Sequence, residues 1–533
     1  MRPNIIIFNP DEMRWDTMSH MGNPAAVTPF LDEFARREAV SFRNAFCQNP
    51  VCVPSRCSFF TGQYPHVQGH RTMQYLFHEG DSTLLSELKN AGYYVWMNDR
   101  NDLLAGQVPG LMNAHADEIF YPGRGPQAPG PENPGIRGEL GDKNYYSHFV
   151  GKMKLDEEGR NYNSDDASVD AAIARIRNPV GDQLLCMFLG LMFPHTPYGV
   201  EEPYFSRIDR SKLPRRAGYG TNKPKMEAKL RELMAMDEYT EADWDELRSV
   251  YLGMCSKVDD QFARLCQALK DAGMYDNTAI FFFSDHGDYA GHYGIPEKAQ
   301  NTFEDCLTRV PLLIKPPKGE AVDPGITDSF AELVDFYATA MDYAGVEPDH
   351  DHFGKSLRPI LEDRRVSLRE YVFCEGGRMP YEFQCDEYHA VSGKAGMVPN
   401  FSMYWPRQNA QLDSQAHEKG TMIRDKRYKY IHRLTGDHEF YDLETNPLEE
   451  HNRYGEELFA PEVLRLRMAM LDWYQATCDC VPRSYDMRMA PEMLWAKVES
   501  RCDPAWADEI REMINGGAGM ALVNSKIEAL RKG

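Results

Sequence analysis

Four short runs of this 533-residue chain are apolar almost without interruption, and they constrain its fold more than any other feature. They cover residues 4–9, 184–191, 279–283 and 310–314. A strand covered on both faces reads this way, because neither side of it meets water. Helical stretches lie between the runs. Thr28-Pro29 opens one with an N-cap and a Pro at the first helical position, and it continues through Phe30, Leu31 and Phe34. Residues 83–91 form another, closed by Gly92 and followed by a strand at 93–97. Further helices are expected over 166–176, over 241–272 ending at Gly273, and over 330–343. Strands alternating with helices in this order predict an α/β fold, a mostly parallel sheet sandwiched by helices.

Beyond residue 365 the texture changes. Short strand-like pieces occur at 371–374, 421–424, 428–432 and 439–443, and a helix follows at 463–477. This reads as a smaller α+β subdomain with an antiparallel sheet. The expected division is an α/β domain over 1–365, the subdomain over 366–480 and a helical tail over 481–533. The tail fits packing on a second copy of the chain, giving a homo-oligomer, and equally on its own chain. There is no internal repeat and no low-complexity segment.

The formal net charge is -22, which disfavours nucleic acid and anionic membranes as partners. An anionic substrate would need concentrated positive charge or a metal ion at its site. Met1 to Phe8 does not read as a secretory signal, and no apolar run approaches a membrane span, so the expected location is cytoplasmic. Twelve cysteines in such a chain are expected to be reduced, buried or functional. Cys478 and Cys480 are too isolated for a zinc site.

Ligands of open parallel sheets bind beyond the carboxyl ends of the strands. Two such ends are acidic: Asn9-Pro10-Asp11-Glu12 after the first run, and Ser284-Asp285-His286-Gly287-Asp288 after the third. Taken alone, each is equally a capped turn.

Residues 52–62 read Cys-Val-Pro-Ser-Arg-Cys-Ser-Phe-Phe-Thr-Gly. Pro54 stiffens the turn and can start a helix over 55–60, whose free N–H groups suit an anion. Cys-x-Pro-Ser-Arg followed by Thr-Gly resembles the active-site motif of the sulfatase family, within the alkaline phosphatase superfamily. The resemblance implies that Cys52 is oxidised to formylglycine by a formylglycine-generating or anaerobic maturation enzyme. It also implies one divalent ion, Ca²⁺ first with Mg²⁺ and Mn²⁺ as alternatives, held by Asp11, Glu12, residue 52, Asp285 and His286. Glu12 departs from the family pattern. It still supplies oxygen but reaches further than an Asp. The run Asp11-Glu12-Met13-Arg14-Trp15-Asp16 is similar to the Asp-Gln-x-Arg-x-Asp start of phosphonate monoester hydrolases.

The same resemblance makes Arg56, His195 in Phe193-Pro194-His195-Thr196-Pro197, Lys298 in Gly-Ile-Pro-Glu-Lys, and Arg100 the expected catalytic residues. Many sulfatases carry Gly-Lys-x-His where this chain has Asp99-Arg100-Asn101-Asp102. Arg100 keeps the positive charge and adds a planar fork suited to sulfate or phosphate oxygens. Asp102 cannot replace a neutral imidazole donor. It is assigned to substrate binding with His70 and Arg71, while His292 reads as loop structure. Gly354 to Pro359, and the segment from Met422 to Pro447, resemble the closing segments of the family. The implied reaction is hydrolysis of a sulfate monoester of a sugar or an aryl alcohol. The alternatives are a phosphonate monoester or phosphodiester hydrolase on the same site, and a binding protein that keeps the fold without catalysis.

Overall fold

The computed structural model describes residues 2–123, 128–382, 385, 403–481 and 490–532. The chain divides into two compact units, Met1–Cys480 and Val481–Gly533. The α/β part of the first unit holds strands β1 (Asn4–Asp11), β2 (Val40–Phe46), β3 (Tyr94–Asn98), β4 (Glu118–Phe120), β5 (Phe149–Lys152), β6 (Leu185–Pro194), β7 (Tyr198–Val200), β8 (Thr278–Phe283), β9 (Arg309–Val310), β10 (Leu312–Lys315) and β11 (Gly325–Glu332). Nine of them form one sheet in the order β11-β2-β10-β8-β1-β6-β3-β4, with β9 paired to β2, while β5 and β7 form a separate parallel pair.

The central strand explains the uninterrupted apolar runs. β1 is parallel to both β6 and β8. Its Ile6 and Phe8 face one core, with Leu31 and Phe34 of helix α1 (Pro29–Arg37). Ile5 and Ile7 face the other, with Phe59 and Phe60 of α2 (Cys52–Thr61) and Leu85 of α3 (Leu84–Asn90). Helices α4 (Ser164–Arg177) and α5 (Glu241–Asp271) cover the first face, and α6 (Val334–Ala344) the second. Burial of such side chains contributes roughly 1.5–3 kcal/mol each, which fixes the strand ends as a rigid platform.

Several expectations are corrected in detail. Thr28 stands at the N-cap position of α1, yet its side chain caps nothing. Asp259 of α5 instead accepts the N–H groups of Phe30 (3.0 Å) and Leu31 (2.7 Å), so the cap comes from the neighbouring helix. Residues 330–332 belong to β11 rather than to a helix, and α6 begins at Val334. The run at 310–314 splits into β9 and β10, and β10 is antiparallel to both β8 and β2.

The four-stranded antiparallel sheet is β12 (Val372–Gly376), β13 (Gly420–Arg424), β14 (Tyr428–Arg433) and β15 (Glu439–Asp442), in sequence order. Helices α7 (Trp405–Ala410) and α8 (Ala460–Thr477) belong to the same region. Trp473 of α8 stacks flat on Phe373 of β12 at 4.2 Å.

In the second unit, α9 (Pro491–Val498), α10 (Ala507–Asn515) and α11 (Met520–Lys532) bury Leu494, Val498, Ile510, Ile514, Val523 and Ile527 in one cluster. Among the described residues no helix is long and apolar enough to cross a membrane.

Candidate active site

The carboxyl ends of β1, β3, β6 and β8 converge with the start of α2. β1 delivers Asp11 and Glu12, and β8 delivers Asp285 and His286. Helix α2 begins three residues before the expected start at 55, with Cys52 itself as its first residue. Ser55 Oγ donates to the carbonyl of Asp285 at 2.6 Å, fastening the helix to the loop after β8. One ligand atom from each of Asp11, Cys52, Asp285 and His286 falls within a 4.8 Å group, and Asp11, Glu12 and His195 form a second such group. The sequence expectation that these distant segments meet is therefore realised in space.

Arg56 lies one turn along α2 and is fully buried. Its Nε donates to Asp285 Oδ2 at 2.9 Å, Nη2 to Asp11 Oδ2 at 2.9 Å and Nη1 to the carbonyl of Arg100 at 3.0 Å. All three nitrogens are thus committed to bracing the strand ends. The Arg100 side chain is 26% exposed, donates from Nη2 to Asp11 Oδ2 at 2.6 Å, and keeps an unpartnered Nε among the described residues. Burial raises the pKa of Asp11, but Arg100 and Arg56 overcome it and hold the carboxyl well below the usual range.

Glu12 has the opposite environment. Its φ is 68°, its N–H donates to Asp285 Oδ1 at 3.2 Å, and its carbonyl accepts from Tyr251 at 2.6 Å. Both carboxylate oxygens are buried without a hydrogen-bond partner among the described residues. Lys298 Nζ lies 3.5 Å from Glu12 Oε2, and the neutral His195 ring brings Nε2 to 3.6 Å. Burial pushes the Glu12 carboxyl well above its ordinary value, and Asp288, Glu297 and Asp11 add to the effect against Lys298.

Buried, unpartnered carboxylate oxygens are costly unless something positive meets them. The Asp11, Glu12 and Asp285 oxygens with one imidazole make a donor set that fits a hard divalent cation. His286 is prepared for that role. Its Nδ1 donates to the carbonyl of Gly287 at 2.9 Å, so the Nε2 lone pair points toward Cys52 Sγ at 3.2 Å and Asp11 Oδ1 at 3.5 Å. Burial, followed by the charges of Asp11 and Asp285, pushes the Cys52 thiol well up despite Lys298. With no cation among these carboxylates an unmodified Cys52 stays protonated and is a poor nucleophile.

His195 and Lys298 form the opposing wall. His195 Nδ1 donates to the carbonyl of Thr196 at 2.7 Å, and Nε2 lies 2.8 Å from Lys298 Nζ. Burial and the charge of Lys298 hold the His195 pKa near 4. Glu297 Oε1 lies 3.2 Å from Lys298 Nζ, and its other oxygen pairs with Arg407 of α7. Neither Glu297 nor Arg407 carries a sequence signal, because the pair spans 110 positions.

Asp102 has φ of 50° and a 30% exposed side chain, 3.4 Å from Arg56 Nη1, so it stays at the rim. His70 and Arg71 make their contacts elsewhere. His70 Nδ1 donates to the carbonyl of Tyr75 at 2.8 Å, its ring packs on Phe77, and Arg71 pairs with Glu382. Among the described residues neither contacts the convergent cluster. His292, expected in a loop, opens a 3-10 turn over His292–Gly294, and its Nδ1 accepts from the N–H of Ala217 at 3.4 Å.

The family model described as Sulfatase matches residues 3–346. The chain belongs to the sulfatase family. Arylsulfatase K of Danio rerio is 25% identical over 435 residues, covering 74% of this chain and 76% of that protein. A multifunctional alkaline phosphatase superfamily protein of Trinickia caryophylli is 24% identical, covering 92% and 99%. Among solved structures, the phosphonate monoester hydrolase of Agrobacterium radiobacter superposes with a TM-score of 0.69 at 21% identity, covering 91% of this chain and 97% of that one. The sulfatase fold is thus the alkaline-phosphatase-like sheet with its small antiparallel partner, and the protein is a hydrolase of this family.

Proposed function

We propose that the protein hydrolyses sulfate monoesters, using formylglycine made from Cys52 and one divalent ion, Ca²⁺ first, held by Asp11, Glu12, Asp285 and His286. The observation that carries this reading is the buried group of Asp11, Cys52, Asp285 and His286 within 4.8 Å. When present, the ion supplies positive charge that polarises the ester oxygens, and the hydrated aldehyde supplies a nucleophilic oxygen that a thiol lacks.

The chain's own residues divide the remaining work. Arg56 holds Asp11 and Asp285 in place. Arg100, partly exposed above Asp11, meets the ester oxygens and offsets the acidic surface, and such preorganised charge is usually the largest catalytic term. Lys298 carries the proton that the departing alcohol needs. His195 accepts from Lys298 through Nε2 and steers that ammonium group. A maturation enzyme of the formylglycine-generating or anaerobic kind is the partner this reading requires.

Phosphonate monoesters and phosphate diesters are the second reading. Arg100 favours it, because a guanidinium fork binds phosphoryl and sulfuryl oxygens alike, and the diester has the charge of the sulfate monoester. Kinetics on 4-nitrophenyl sulfate and 4-nitrophenyl phenylphosphonate rank the two.

The deciding experiment is mass spectrometry of the tryptic peptide spanning residues 44–56, from protein purified out of its own host. That peptide contains Cys47 and Cys52. Iodoacetamide should label one cysteine rather than two, with an aldehyde at 52. Two labelled cysteines in protein that turns over sulfate esters would sink the formylglycine mechanism.

A further inference from the structure

We propose that His148 is a substrate contact of this hydrolase, its imidazole reading a hydroxyl on the alcohol part of the ester. The inference rests on the sulfate ester reading and extends it to a residue outside the expected set.

His148 immediately precedes β5, and its carbonyl accepts the N–H of Tyr198 at 2.8 Å. It is therefore pinned beside the segment that carries His195. Two features of its placement are unfavourable for a residue with only a structural task. Its φ is 58°, a left-handed conformation uncommon outside glycine. Its side chain is buried in a residue only 5% exposed, yet Nδ1 has no hydrogen-bond partner among the described residues. A structural histidine of this burial normally satisfies its ring nitrogens.

The surroundings are those of the catalytic wall. The His148 ring lies 6.1 Å from that of Tyr404, and the Arg407 guanidinium sits 4.6 Å over Tyr404. Arg407 in turn donates to Glu297 and to the carbonyl of Lys298. Burial, with Arg407, His195 and Lys298 against Glu297, keeps the imidazole neutral, with its pKa pushed down to about 4. A neutral imidazole offers one N–H and one lone pair. That pair matches a hydroxyl, which both donates and accepts, better than it matches the sulfate group. On the sulfate ester reading, Arg100 and the cation that the carboxylates would hold meet the sulfate, which leaves His148 to the leaving alcohol.

The test compares 4-nitrocatechol sulfate, which has a hydroxyl beside the ester, with 4-nitrophenyl sulfate, which has none. His148→Gly removes the ring and suits the left-handed backbone. It should lower the ratio of kcat/KM for the catechol ester over the phenyl ester by about tenfold, the usual weight of one hydrogen bond at a built site. His148→Asn, which keeps a polar atom near Nδ1 and tolerates positive φ, should restore part of that ratio. An unchanged ratio, or equal losses on both esters, overturns the proposal. Calorimetric titration of both esters into Cys52→Ala protein, with and without His148→Gly, reads the contact without turnover. If the wild type hydrolyses neither ester but His148→Gly weakens binding of the catechol ester alone, the reaction class fails and the contact stands. No discrimination in binding overturns the contact.

Discussion

Lys298 Nζ donates to His195 Nε2 across 2.8 Å, while the other ring nitrogen of His195 spends its proton on the carbonyl of Thr196. The two residues are therefore unequal candidates for protonating a leaving alcohol. His195 has its lone pair facing Lys298 and a pKa near 4, so it holds no proton on that side. Lys298, pressed between Glu12 and Glu297, stays charged despite its burial.

Lys298→Ala should lower kcat/KM by roughly 10²- to 10⁴-fold on alkyl sulfates, the range expected for losing a general acid. The loss should be smaller on 4-nitrophenyl sulfate, whose phenolate leaves without help. His195→Ala should lower the rate without changing sensitivity to the leaving group. A plot of rate against leaving-group pKa for each variant checks this. A steeper plot for His195→Ala and an unaltered one for Lys298→Ala would reverse the assignment.

Cys52→Ala should abolish turnover and leave the fold intact. Among the described residues the hydrogen-bond partners of Cys52 Sγ are weak, Asp11 Oδ1 at 3.5 Å and His286 Nε2 at 3.2 Å. Its removal should cost stability no more than about 1–2 kcal/mol. Urea unfolding and a sulfate-release assay on the same preparation separate the two effects. Residual activity near that of the wild type would exclude residue 52 as nucleophile.

Arg407 should matter to catalysis although it lies in the C-terminal part of the first unit. Burial alone would raise the Glu297 carboxyl, but Arg407 and then Lys298 bring it to about 2. Arg407→Met leaves that carboxylate buried with Lys298 as its remaining close cation, at a cost of about 3–5 kcal/mol. Glu297→Gln in the same protein should recover much of that loss, giving a large coupling energy in a double-mutant cycle. kcat should fall more than KM rises, because the altered group holds Lys298 rather than substrate.

The legible parts of this protein are those written locally. The runs of β1, β6 and β8 are apolar on both faces, so they stand out as central strands. The acidic segments at the ends of β1 and β8 are each contiguous in sequence. β2 leaves no such mark, because Arg43 and Asn44 break its apolar character to bond Asp328 on β11, and the end of β11 carries a helix-like pattern that only its partner strand overrides. The antiparallel direction of β10 is a matter of topology that no local pattern encodes. The Asp259 cap on α1, the Glu297–Arg407 pair and the placement of His148 all join residues distant in sequence. His70 and Arg71 follow the nucleophile helix in the chain, but proximity in sequence did not carry them to the site.

Gly190 shows how tightly the strand ends are packed. It sits on β6, exchanges two hydrogen bonds with the Asn98 side chain (3.0 and 2.7 Å), and approaches the carbonyl of Arg100 so closely that a Cβ has no room. That Cβ would also stand 3.5 Å from Arg56 Nη1. Gly190→Ala should push Arg100 off Asp11 and lower kcat/KM by about 10- to 100-fold, since small displacements of positioning groups cost that much. The stability loss should stay near 1–3 kcal/mol. Activity and urea midpoint together check it, and an unimpaired enzyme would show that Arg100 tolerates displacement.

His350 makes stability depend on pH at the far end of the nucleophile helix. Its Nε2 donates to the carbonyl of Thr61, the last residue of α2, at 2.8 Å, and Nδ1 faces Asp349 at 2.9 Å and Glu87 at 3.2 Å. All three partners accept, so both ring nitrogens carry protons and the ring is an imidazolium. Burial would lower its pKa, but the hydrogen bonds to Glu87 and Asp349 raise it to about 9 from 6.5. Because the folded value lies above the unfolded one, the stabilisation is complete below pH 6.5 and is lost as pH rises through about 9. Its size is on the order of 2–3 kcal/mol. His350→Gln should be less stable than the wild type at neutral pH, and the gap should close by alkaline pH. Urea midpoints of both proteins measured across that interval decide the matter, and a gap that stays constant with pH would show that the ring is neutral.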